Sequence, residues 1–371
     1  DLQVVRSYKI RGAYNKMSSL TKQESANGVV CASAGNHAQG VALSCKLLKI
    51  QGTVFMPTTT PKQKIERAKM FGEHFVKIVL TGDSFDDAYN AAIKDCTERE
   101  KTFIHPFNDE KVIEGQATLG LELIHQTPAP IDYIFVAVGG GGLASGMSTV
   151  FKLLSPDTKI IGVEPEGAPS MKTAFQKGEV IELDHIDNFV DGAAVKRVGD
   201  KNFAICKDNL HDMITIHEGN ACQTILDLYN KEAIIAEPAG ALSVSALEVY
   251  KDEIKGKNIV CIISGGNNDI TRTAEIKERA LLYSNLKHYF IVTFPQRAGA
   301  LREFVVDILG PNDDITHFEY TKKVNRENDV AVVGIELKSQ QDLEPLIAKM
   351  KEDNFYGDYL NEKPDLFQFL V

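Results

Sequence analysis

The chain has 371 residues, 43% of them hydrophobic and 25% charged, enough to bury sizeable cores in two or three domains. Its formal net charge of −10 opposes general affinity for nucleic acid, which needs clustered lysine and arginine to displace counterions. The longest apolar runs, residues 131–138 and 259–263, are far shorter than the roughly 20 residues of a membrane-spanning helix, and no signal peptide is visible. Six cysteines without CxxC or CxxH spacing indicate neither a zinc site nor a disulfide framework, so a reducing cytoplasm fits best.

From residue 28, short β-rich runs alternate with segments of helical period, as parallel sheets with crossover helices require. Residues 28–34 read as a buried strand feeding a helix over about 36–48, and 52–57 as the next strand. Thr60 then sets a capping hydroxyl before Pro61 at a first helical position, opening a helix over 62–71. Strand 75–80, a helix capped by Ser84 with Asp87 three residues on, and strand 102–107 continue the series. Helix 111–126 leads to strand 131–138, a glycine run, a helix to about 154, and strand 159–165. After less regular sequence, helices near 218–231 and 239–250 precede strand 258–264. Past a charged helical segment at 272–287, strand 288–295, helix 298–309, strands 314–320 and 330–337, helix 340–353 and strand 366–371 follow the β-α-β-β-α-β ferredoxin-like order. The expected organisation is a domain over 1–271, its smaller subdomain at about 28–110, then a helical linker over 272–287 and a small α+β domain over 288–371.

Four stretches carry candidate chemistry. Ser7-Tyr8-Lys9-Ile10-Arg11-Gly12-Ala13 offers Lys9, which as a desolvated amine can condense with an aldehyde; the alternative is a lysine on an exposed strand edge. Ser33-Ala34-Gly35-Asn36-His37-Ala38-Gln39-Gly40 lies where a strand hands over to a helix, whose first-turn N–H groups suit an anion. His37 is read there as capping or packing, with its backbone N–H of more use than its ring. Gly139-Gly140-Gly141-Gly142-Leu143 follows a strand and opens a helix, so successive N–H groups can converge on a phosphate. The same run satisfies G-x-G-x-x-[GA], and Glu164 lies 25 residues on, which keeps a nicotinamide-dependent oxidoreductase as the second reading. Against it stand the lysine-bearing strand and the second anion loop, for which a dinucleotide fold has no use. Ser264 ends a strand just before Gly265, Gly266 and Asn267.

Together these motifs resemble the fold-type-II pyridoxal-phosphate enzymes, most closely the biosynthetic threonine dehydratases, from Asp1 to the C-terminus. The resemblance implies two parallel-sheet subdomains with flanking helices and a C-terminal ACT-like domain. It makes Lys9 the lysine that binds pyridoxal 5'-phosphate and the base that takes the Cα proton in a β-elimination of threonine. It assigns the glycines 139–142 and Leu143 to the cofactor phosphate, Asn36 to the phenolic oxygen and Ser264 to the pyridine nitrogen. A hydroxyl there, unlike a carboxylate, does not keep that nitrogen protonated, so the ring is a weaker electron sink. The loop Ser33, Ala34, Gly35, Asn36 and His37 corresponds to the grip on the substrate carboxylate, and Gly192 and Glu237 to positions beside the cofactor. Glu237 as a solvated helix-start acid remains an equal alternative. No metal ligands can be placed. Family members carry several dozen residues before the lysine motif, so this chain is expected to be an N-terminally shortened piece.

The resemblance further implies isoleucine synthesis as the setting, isoleucine as inhibitor and valine as its opponent through the C-terminal module, and a homotetramer. Serine is expected to react beside threonine, because a pocket discriminates one methyl by only about 1 to 3 kcal/mol. A serine dehydratase or racemase and a catalytically inactive amino-acid sensor subunit are the other readings, and a dimerisation module without ligand is the alternative for the C-terminal part.

Overall fold

The computed structural model describes residues 2–320 and 328–363. The chain divides into two compact units, Asp1–Asn268 and Asp269–Val371. The first holds two parallel four-stranded sheets. Strands β1 (Val29–Ala32), β2 (Gly52–Met56), β3 (Val76–Leu80) and β4 (Thr102–Phe103) are ordered β3-β2-β1-β4, and β5 (Tyr133–Ala137), β6 (Lys159–Pro165), β7 (Asp212–Ile216) and β8 (Ile259–Cys261) are ordered β7-β6-β5-β8. β1, β2 and β5 are buried throughout, as strands covered on both faces must be, which is why they read as continuous apolar runs. Val29, Val41, Val54 and Met56 share one core cluster, and Ile134, Val136, Met147 and Phe151 another. This is the fold-type-II architecture.

Several local features differ from the sequence reading. Lys9 opens the helix Lys9–Ser18 and does not lie on a strand; the preceding Ser7 makes only an isolated bridge to Gly265. The helix after Pro61 starts at Lys62 with Pro61 itself at the cap, and the Thr60 hydroxyl is buried without capping it. The strand expected over 102–107 stops at Phe103, because His105 turns the chain by accepting from the N–H groups of Phe107 and Asn108. The irregular stretch after β6 contains the helices Ser170–Lys177 and Asp200–Asn209 as well as β7. At Ser84 the expected capping box with Asp87 is present.

The second unit is an antiparallel sheet of β9 (Lys287–Pro295), β10 (Asp314–Tyr320), β11 (Asn328–Glu336) and β12 (Tyr356–Tyr359), in the order β10-β11-β9-β12 of a ferredoxin-like fold. Helical turns over 300–308 and the helix Leu343–Glu352 complete it around Phe290, Val292, Phe304 and Met350. The fourth strand is therefore Tyr356–Tyr359, while the run 366–371 read as that strand lies outside the described residues. The charged helix Thr273–Tyr283, expected as a linker, falls in this unit with Ile276 and Ala280 buried.

Candidate active site

Lys9 is fixed by its neighbours before its amine does anything. Tyr8 N–H donates to Ser264 O at 3.1 Å, and Gly266 N–H donates to Arg6 O at 2.9 Å, so residues 6–8 run against 264–266. The strand expected over 258–264 covers only β8, Ile259–Cys261, and the lysine is set beside the segment after it that carries Ser264. Its Nζ donates to Pro106 O at 3.1 Å and lies 5.3 Å from the Tyr8 ring centroid. Among the described residues no carboxylate pairs with it. A buried and a half-buried histidine are kept neutral nearby: desolvation first, then the charge of Lys9, pulls His37 down to about 3 and His105 to about 4.

The glycine run follows β5 at the carboxyl end of its sheet. Gly141 has φ +92°, a left-handed turn that tips the chain into the helix Gly142–Leu154. A Cβ on Gly140 would fall inside the Phe107 ring, so that ring and the run close on each other. Asn202 Nδ2 donates at 2.7 Å to Gly140 O and at 3.2 Å to Phe107 O, and Gly199 N–H adds a 3.2 Å bond to Gly140 O. The peptide carbonyl is thus turned out of the run. No acceptor among the described residues takes the N–H groups of Gly139, Gly140, Gly141, Gly142 or Leu143. Five such donors at a helix start form a cradle for an anion of phosphate size.

The loop after β1 makes a second cradle. Gly35 N–H donates to Ser33 Oγ at 3.2 Å, and the helix Asn36–Leu48 begins with no side-chain cap. The N–H groups of Asn36, His37 and Ala38 find no acceptor among the described residues. The His37 ring is buried and bonds Ile104 O through Nε2 at 2.8 Å, which makes it a packing group. Asn36 Nδ2 donates to Glu237 Oε1 at 2.7 Å. Glu237 stands at the N-cap position of the helix Pro238–Val249, makes no side-chain cap and is 6% exposed; burial, then the nearby charge of Asp191, pushes its carboxyl up to about 7. Gly192 packs against Ala239 and Glu237.

The structure thus brings together Lys9, Ser264, the glycine cradle, the Asn36 loop, Gly192 and Glu237. These residues fit pyridoxal phosphate on observations independent of any motif: a cradle of unpartnered N–H groups, an amine without a counter-ion, and the buried Ser264, whose hydroxyl has no partner among the described residues. Glu164, the acid of the dinucleotide reading, is fully buried and accepts from Met171 and Lys172 N–H at 2.7 and 2.8 Å. It caps a helix and reaches no ribose. Glu166, His217 and Glu218 bring potential metal-ligating atoms within 4.8 Å of one another. His217 Nδ1 accepts from Gly219 N–H at 3.0 Å, however, which leaves the proton on Nε2 and neither nitrogen free to ligate. Sequence reasoning missed Pro106 and Phe107, which act through a backbone carbonyl and a ring face that no motif marks, and Asn202, whose side-chain amide reaches Gly140 from 62 residues away.

Fold and site define a pyridoxal-phosphate enzyme of the fold-type-II class carrying an additional ferredoxin-like domain. Residues 1–265 match the family model described as pyridoxal-phosphate dependent enzyme, and 278–370 match the C-terminal regulatory domain of threonine dehydratase. The chain is 55% identical over 371 residues to the L-threonine dehydratase biosynthetic IlvA of Halalkalibacterium halodurans, covering 100% of this chain and 89% of that protein. The Bacillus subtilis protein of the same description is also 55% identical, with 100% and 88% covered. Among solved structures, the processed form of threonine deaminase isoform 2 from Solanum lycopersicum superposes with a TM-score of 0.73 at 41% identity, covering 76% of this chain and 81% of that one. The chain belongs to the biosynthetic L-threonine dehydratase family of pyridoxal-phosphate dependent enzymes, with the family's C-terminal regulatory domain.

Proposed function

We propose that this chain performs the family reaction, the conversion of L-threonine to 2-oxobutanoate and ammonia that opens isoleucine synthesis, with Lys9 as both cofactor anchor and base. The observation that carries this reading is the convergence of an unpaired amine, Lys9, with the five-donor glycine cradle. Pyridoxal phosphate supplies an electron sink conjugated to the substrate nitrogen, which lowers the cost of removing the Cα proton. Lys9 Nζ is the amine that would hold the cofactor by its aldehyde, and the same amine, when free, would serve as the base for that proton. The N–H groups from Gly139 to Leu143 hold the phosphate, Ser264 Oγ donates to the pyridine nitrogen, and Asn36 donates to the phenolic oxygen. The loop Ser33 to His37 grips the threonine carboxylate and so orients the Cα–H bond toward Lys9. Gly192 and Glu237 line the cofactor's edge.

The regulatory domain supports isoleucine as inhibitor and valine as its opponent, because a product-like amino acid controls flux at a committed step. A ligand there acts only through its differential affinity for two states; about 1 to 3 kcal/mol changes threonine affinity roughly 5- to 150-fold. We assign a homotetramer, and a cytoplasmic setting in keeping with six cysteines that lack CxxC or CxxH spacing. The deciding experiment measures visible absorbance of the purified protein with pyridoxal phosphate, its bleaching by borohydride, and ammonia release from threonine. Lys9→Ala is expected to lose all three signals. Undiminished turnover in that variant rejects Lys9 as the base.

A further inference from the structure

Asn36 is one link in a side-chain chain whose Arg67 end is chemically fixed. Arg67, half-buried on the helix Lys62–Gly72, donates through Nη1 to Asn267 Oδ1. Asn267 Nδ2 donates to Asn36 Oδ1 and to Val5 O, each at 2.7 Å. Asn36 Nδ2 passes the series on to Glu237 Oε1 at 2.7 Å. A guanidinium can only donate, so the Asn267 amide, accepting from Arg67, is left to donate to Asn36 Oδ1 and thereby sets the orientation of the Asn36 amide. Turning the Asn267 amide would set donor against donor at Arg67, and turning the Asn36 amide would set donor against donor at Asn267. The series also alternates between the two sheets' structures. Arg67 and Asn36 belong to helices around the first sheet, while Asn267 and Glu237 lie beyond β8 and at the start of the helix Pro238–Val249 beside the second.

An amide nitrogen carries two protons, and Asn36 spends one on Glu237. Its acceptor oxygen is occupied by Asn267. The group left to face a ligand is therefore a donor, as the phenolic oxygen of pyridoxal phosphate requires.

We propose that Arg67 and Asn267 are positioning residues that hold the Asn36 amide with its free N–H toward the cofactor. This rests on the proposed role of Asn36 at the cofactor. Without Arg67, Asn267 loses its donor-only partner, and its amide and that of Asn36 sample both orientations. Part of the population then presents a carbonyl oxygen to the cofactor oxygen, which repels it.

The test compares wild type, Arg67→Met, Arg67→Lys and Asn267→Asp, each reconstituted with pyridoxal phosphate. It reads the visible spectrum of the bound cofactor from about pH 6 to 9, the cofactor Kd, and kcat and KM for threonine. Arg67→Met is expected to shift the absorbance maximum or its pH midpoint, raise the cofactor Kd about 10-fold and lower kcat more than it changes KM. Arg67→Lys, which keeps a donor, should restore most of the spectrum, whereas a purely structural role for Arg67 would leave the holoenzyme spectrum unmoved. Asn267→Asp keeps an acceptor for Arg67 but loses the donor to Asn36, so it should reproduce the shift even if Arg67→Met does not fold. Wild-type spectra and pH midpoints in both Arg67→Met and Asn267→Asp, or in Asn267→Asp alone where Arg67→Met fails to fold, overturn the proposal. A wild-type protein that forms no borohydride-sensitive chromophore defeats instead the reading of the cofactor site on which it rests.

Discussion

Glu237 and Gly265 are held face to face. The Glu237 N–H donates to Gly265 O at 3.1 Å, and its carboxylate occupies the place where a side chain at residue 265 would stand. Gly265 follows Ser264, so any displacement there moves the hydroxyl assigned to the pyridine nitrogen. Gly265→Ala is expected to cost about 1 to 3 kcal/mol of stability by overpacking, and to weaken cofactor binding beyond what that loss explains. Thermal melts of the apo protein and a spectral titration with pyridoxal phosphate separate the two effects. An alanine variant with wild-type cofactor affinity would show that Ser264 is not aligned through Gly265.

The same carboxylate makes stability depend on pH. Burial and the charge of Asp191 push Glu237 up to about 7 from an ordinary 4.5, so the folded protein keeps this proton where the unfolded chain has released it. Its contribution is complete below about pH 4.5 and is lost as pH rises through about 7. Glu237→Gln cannot ionise and still accepts from Asn36. Relative to wild type, the glutamine variant should gain about 2 to 3 kcal/mol between about pH 5 and pH 8 in urea unfolding. A pH-independent difference would place the Glu237 titration outside that window.

What the sequence disclosed followed from how local each signal is. The runs VVCA and YIFVA are buried on both faces, so their apolar continuity marks β1 and β5 without any tertiary knowledge. The glycine run needs only its own backbone and the helix that follows. β12 was hidden because Tyr356–Tyr359 reads YGDY, an edge strand of mixed polarity, and β7 because it starts on the exposed Asp212 and is not buried throughout. The strand expected over 102–107 failed at His105, whose ring accepts from the backbone and bends the chain. Asn36 was legible from its loop, yet its partners Glu237 and Asn267 lie 201 and 231 residues away, beyond the reach of any spacing argument.

Asn202 gives the glycine cradle its shape from outside. It is fully buried and spends its amide protons on the carbonyls of Gly140 and Phe107. Asn202→Leu keeps the volume and strands those carbonyls, although Gly140 O retains the N–H of Gly199. The expected outcome is a cofactor Kd raised about 10-fold, with kcat at saturating cofactor within a few-fold of wild type. Equilibrium dialysis of pyridoxal phosphate against the variant checks this, and an unchanged Kd would mean that Gly199 alone suffices to orient the Gly140 peptide.

The regulatory domain can be removed cleanly only at one place. The units meet at Asn268, and the helix Thr273–Tyr283 belongs to the second, where Ile276 and Ala280 are each 1% exposed. A chain cut just after that helix would keep those side chains and lose β9, which packs against the helix. Newly bared apolar surface on a short helix favours association, so that truncation should aggregate or lose stability. A chain ending at Asn268 keeps every residue assigned to the cofactor and to threonine. It is expected to retain threonine turnover within about tenfold of the full chain, while losing the response to isoleucine and to valine. Initial rates with and without isoleucine read the result directly. If the chain ending at Asn268 is still inhibited with unchanged potency, the effector binds within residues 1–268, and the ferredoxin-like unit serves assembly alone.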